Sequence, residues 1–187
     1  MSAATPATAT AATKQRNPAT YSNAGATPDP WEECARLEYG GDRSYASIVR
    51  TQVINTPAAD RARLEDRLLK ACATPGRTHA GLAFLCEMLA LVGTAKSVPL
   101  LASLLRDPKT AEMARYALEP GAAPEAGAAL REALGVLSGD AKAGVIGSIA
   151  ARHDTAARSA LAALKDAPGE PAIVRDAAAR ALAHLTK

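Results

Sequence analysis

Aromatic side chains are scarce in this 187-residue chain: they make up 3% of it, with one Trp and one Phe. An interior without large rings has to be filled by Leu, Ala, Val and Ile, which favours close-packed helices over a sheet of β-branched and aromatic strands. Cysteine is equally thin. Cys34, Cys72 and Cys86 are odd in number and form no CxxC pair, which excludes a disulfide framework and a zinc knuckle, and no CxxCH is present to attach a c-type haem. Cys86 lies in the apolar run GLAFLCEMLALVG, where the role expected of it is that of a small buried hydrophobe. No apolar run approaches the roughly 18 residues of a membrane span. An excess of one charge is missing too: 22 basic and 19 acidic residues are interspersed to a net +3, which is too mild to point to nucleic acid.

Catalytic signatures are also lacking. His79, His153 and His184 stand in different helix pairs or turns, and no His-Glu dipeptide occurs, so no set of metal ligands is written. His184 reads as a cation near a helix C-terminus. There is no Gly-x-Ser-x-Gly elbow. YGGDR at 39–43 has the glycines of a phosphate loop but neither its Lys-Ser/Thr nor a preceding strand, so it reads as a helix stop followed by a cap at Asp42. Neither a catalytic residue nor a cofactor is expected.

What is present falls into two parts. Residues 1–30, MSAATPATATAATKQRNPATYSNAGATPDP, hold almost nothing large enough to anchor a core and read as a disordered Ala/Thr/Pro-rich tail or interdomain linker. Their threonines and prolines also break the continuous apolar core that a secretory signal needs. From 31 to 187, apolar residues recur at spacings of three and four between Pro and Gly punctuation. Helices are expected at about 31–38, 43–54, 58–73, 78–92, 95–106, 109–118, 124–137, 140–151, 155–166 and 171–185. Many are too short to stand alone and must be held by neighbours. Aligning every second helix places Leu89, Leu118, Ile149 and Leu182 in one column at a spacing of about thirty residues, the signature of an all-α solenoid of stacked antiparallel helix pairs.

SVPLLASLLRDP and LAALKDAPGEPAIVRDAAARALAHL resemble HEAT repeats of the short bacterial, PBS-lyase-like kind. The resemblance implies an Asp–Arg ladder along the turns between repeats. Asp166, Val174, Arg175, Ala181 and Leu182 fit it in the last unit, whereas Lys142 and then Ala111 stand where the Arg belongs, leaving Asp107 without that partner. WEECARLEYGGDR, MARYALEP, AALREAL and AGVIGSIAARHD together are similar to the HEAT segment of large, usually exported bacterial proteins. Those often carry a keto-disaccharide hydrolase-type β-sandwich or a haem-binding module, so the resemblance implies a scaffold, and an exported or cell-envelope setting that nothing else in the chain specifies. The absence of any His-Glu dipeptide argues against an iron hydroxylase of the HEAT type, which holds its metal with such pairs.

In this family the second helices line the concave surface. Arg115, Tyr116, Lys142 and Arg152 would then form a mildly basic strip, with Arg and Tyr both favoured at protein interfaces. The plainer reading of Arg115 is a packed stem and an ion pair with Glu119 at the i,i+4 spacing. The expected function is a non-catalytic scaffold that binds a protein or a neighbouring domain, and neither nucleic acid nor a membrane. A bilin lyase-like HEAT enzyme and a HEAT-type nucleic-acid binder are the alternatives.

Overall fold

The structure, a computed structural model, describes residues 28–186, so the expected tail lies almost wholly outside the described residues. Within them the chain is all-helical, with no strand. The helices are α1 (Pro30–Ala35), α2 (Ser44–Asn55), α3 (Arg61–Cys72), α4 (His79–Val92), α5 (Val98–Leu105), α6 (Ala111–Leu118), α7 (Pro124–Ala133), α8 (Gly139–Ala151), α9 (Arg158–Asp166) and α10 (Ala172–Leu185). Short 3-10 turns, Ala58–Asp60 and Thr155–Ala157, lead into α3 and α9. Several starts are fixed by side chains that accept orphan amide protons: Asp29 from Trp31, Thr78 from Gly81 and Asp154 from Ala156.

The helices pack with their near neighbours along the chain. α3 lies on α4, α5 on α6 and α9 on α10, while α4, α6, α8 and α10 touch in succession. Leu89, Leu118 and Ile149, each 1% exposed or less, sit at those contacts. In α10 the column slips by one residue. Ala181 is the buried member and Leu182 is half-buried.

Several element boundaries differ from the sequence expectation: α1 stops at Ala35 rather than 38, and α3 and α9 start at Arg61 and Arg158 rather than 58 and 155, after their 3-10 turns. α5 begins at Val98 rather than 95, because Thr94–Ser97 forms a turn wrapped around the buried carboxylate of Glu65 on α3. One Glu65 oxygen accepts from the Thr94 amide (2.8 Å), the Ser97 amide (3.1 Å) and the Ser97 hydroxyl (2.7 Å), and the other accepts from the Thr94 hydroxyl (2.9 Å). Glu65→Ala would strand those donors away from water and should cost about 2–3 kcal/mol in urea unfolding. Glu65→Gln should cost less, since the Thr94 hydroxyl can turn to accept from the new amide. α7 stops at Ala133 rather than 137, yet Leu134 and Leu137 remain buried in the turns that follow.

Candidate functional site

The four residues expected on the strip have different fates. Arg115 is largely covered, its side chain 19% exposed. It donates to Glu112, to Glu119 (3.2 Å) and across to the Ser148 hydroxyl on α8 (2.9 Å), and Ser148 in turn donates to Glu119 (2.7 Å). Lys142 is buried and ion-paired with Glu170 at 2.5 Å, while Arg175 donates to the carbonyl of that same Glu170. Asp166 pairs with neighbouring Lys165 (3.4 Å), so the ion pair it makes here is local rather than with Arg175. Arg152 donates to the carbonyls of Leu118 (2.8 Å), Glu119 (2.9 Å), Gly121 and Ala123 (3.3 Å), closing the C-terminal end of α6, and its Nε is buried without a partner. A guanidinium is well matched to those orphan carbonyls and to the negative end of the helix dipole. Three of the four cations and rings are thus consumed in holding helices together. Tyr116 alone stays open, at 54% exposure.

Tyr116 is one wall of a groove of about 390 Å³ between α4 and α6. Tyr39 also lines it, 73% exposed on the loop after α1, where Gly40 turns the chain with a positive φ of 78°. Ala83 and Met113 supply apolar surface, and His79, Glu87, Lys109 and Glu112 supply polar groups. Both carboxylates are already partnered. Glu87 takes a two-pronged ion pair from Arg50 (2.8 and 3.0 Å), and Glu112 takes one from Arg115. The hydrogen bonds to Glu87 hold the Arg50 guanidinium protonated beyond its ordinary range. The groove therefore offers two exposed rings beside two ion-paired carboxylates, with Lys109 and His79 also in its lining. Rings and guanidinium groups in that arrangement suit contact with another chain more than a proton transfer.

Sequence reasoning missed Tyr39, which it absorbed into a helix stop, and it missed the histidine pair. His153 and His184 stack with ring centroids 4.8 Å apart. One follows α8 and the other lies near the end of α10, and the packing of those two helices brings them side by side.

Among the described residues, no three His, Cys, Asp or Glu side chains come together as a metal site, and no helix is long and apolar enough to cross a membrane. The three thiols, at 2% exposure or less, are buried around α1, α3 and α4. Burial pushes each of them up to about 12. Thiols held neutral are poor nucleophiles. Iodoacetamide at pH 8 should leave all three unmodified in the folded chain and label them in urea, as read by mass spectrometry.

No family model, no curated protein and no solved structure matches this chain.

Proposed function

We propose that the chain is a non-catalytic binding module, a HEAT-like stack of helix pairs whose α4/α6 face docks a protein or a neighbouring domain. The observation that carries the reading is the Tyr39–Tyr116 groove. In a chain so poor in aromatics, two of its few rings stand exposed in the lining of one hollow, where burial against a partner would remove large apolar surface from water.

The stacked arrangement is supported by the polar contacts. Side-chain hydrogen bonds that leave their own helix and its adjoining turns span from 23 residues, in Arg131 to Asp154, to 41, in Thr78 to Leu37. Contacts confined to about one period are what a quasi-one-dimensional stack makes. The internal use of Arg115, Lys142 and Arg152 narrows the docking face to Tyr116 and its surroundings. It also makes Tyr116, and not Arg115, the residue to alter, because removing Arg115 would take from Ser148 and Glu119 the guanidinium that donates to both.

The test is to place the photo-reactive residue benzoylphenylalanine at position 116, and separately at Ala162 on the exposed side of α9, and to illuminate each with the module that the gene encodes next. Cross-linking at 116 and not at 162 is the expected result. Equal cross-linking at both positions, or none at 116, would remove the α4/α6 face as the interface.

A further inference from the structure

We propose that the Tyr39–Tyr116 groove is covered in the free chain by the chain's own segment around Pro18 and Tyr21, which a docking partner has to displace. The inference rests on the docking reading above and names the first occupant of that face.

The groove has rings and no surplus of either charge. Tyr39 and Tyr116, with Ala83 and Met113, give it apolar surface, and His79 adds an imidazole. Around them three carboxylates, Glu87, Glu112 and Glu119, stand with three cations, Arg50, Arg115 and Lys109, so neither an acidic nor a basic occupant is favoured. What fits is an uncharged stretch with a proline and a ring, since proline-bearing extended segments dock on grooves lined by aromatic side chains. Residues 1–27 lie outside the described residues, and their sequence holds one such stretch. From Asn17 to Pro28, NPATYSNAGATP, there is no charge. Tyr21 is the only ring among residues 1–27 and, with Met1, their only large apolar side chain. Pro18 stands three residues before it, and positions three apart fall on one edge of a polyproline-type segment, about 9 Å from each other. A single short segment thus offers a proline and a ring to a groove that holds two rings.

The connection is long enough for this contact to form within one chain. Asp29 is held beside α3 by Arg67 (3.4 Å), and α3 packs on α4, which lines the groove. The other end of α1 meets the start of α4, where the Thr78 amide donates to the Ala35 carbonyl (2.9 Å), next to His79 of the groove. α1 has six residues and is about 9 Å long, and crossing one packed helix takes about 10 Å. The chain from Tyr21 to Pro28 spans up to about 23 Å when extended, which exceeds that path. A tether this short also gives the segment a high effective concentration at the groove.

The experiment uses the full chain without any partner, carrying benzoylphenylalanine at position 116 or, as the control, at position 162. Each is illuminated at about 1 and about 20 µM, because an intramolecular contact forms equally at both. Trypsin digestion and mass spectrometry then locate the links. The expected result is a monomeric chain in which position 116 is joined to residues 18–21, in the same yield at both concentrations, while position 162 is not joined to them. Tyr21→Ser should cut that yield at least about fivefold, by loss of the aromatic anchor, with an unchanged melting temperature. Absence of the link from 116, an equal link from 162, a yield that rises with concentration, or indifference to Tyr21→Ser each overturns the covering. Adding the module encoded next should lower the link to 18–21 as its own cross-link forms, and an unchanged link overturns the displacement. If the link to 18–21 is absent while the module cross-links at 116, the segment falls and the docking face stands. If the module fails as well, the docking reading falls with it.

Discussion

Gly81→Ala should be the most damaging single-methyl change in the chain. Gly81 sits in the first turn of α4 where that helix crosses the end of α1, and a Cβ there would run into the carbonyl of Ala35 and lie 2.7 Å from the carbonyl oxygen of Cys34. Both obstacles are backbone, so no rotamer change relieves them. The crossing is also pinned by a hydrogen bond from the Thr78 amide to the Ala35 carbonyl (2.9 Å) and one from the Thr78 hydroxyl to the Leu37 carbonyl. To admit a methyl group, α1 must lift away, uncovering Trp31 and Cys34, which are almost fully buried. Overpacking of side chains costs about 1–3 kcal/mol, and an overlap of backbone with backbone lies above that range, at about 4 kcal/mol or more. Urea unfolding should show the loss, with Trp31 fluorescence shifting to the red even before the main transition. An alanine variant as stable as wild type would mean that α1 does not pack on α4 in this way.

Leu118 is the second position with a large expected effect. It is 1% exposed at the end of α6, where it lines a small hollow of about 10 Å³ with Leu89, Leu101 and Ala126. Truncation to alanine removes the transfer energy of the side chain and leaves a hole that α4 and α8 are too firmly tied to fill, so a cost of about 2–5 kcal/mol is expected from urea unfolding. Leu118→Asp should prevent folding, because a carboxylate would be buried where the nearby donors are already engaged, Thr94 and Ser97 by Glu65 and Arg152 by the α6 carbonyls. Tolerance of the aspartate, with unchanged circular dichroism and melting, would contradict the packing of successive helix pairs through this column.

The helices were legible in the sequence because their apolar spacing and their Pro and Gly punctuation are local signals, and the burial of Leu89, Leu118 and Ile149 was legible because each falls on the apolar face of its helix. The site was legible only in part. Arg115, Lys142 and Arg152 look alike in the sequence, as cations on second helices. Their partners Ser148, Glu170 and the α6 carbonyls lie a helix or more away, and which cation meets which partner depends on a register that drifts from unit to unit. Glu65 was invisible for the same reason, since its donors Thr94 and Ser97 belong to the next unit. Tyr39 was hidden differently: its place on the groove wall depends on the turn at Gly40, and turn direction carries no periodic signal.

The central claim is that this stack of helices works by docking another chain on its α4/α6 face, and a binding isotherm tests it most directly. The module encoded next to this chain would be titrated into wild type and into Tyr116→Ala, at low and at physiological salt, with melting temperatures as the control for folding. The account predicts saturable binding by wild type, weakened at least about tenfold by loss of the exposed ring and only moderately by salt. Equal affinity for both chains, or no binding to wild type, would contradict it.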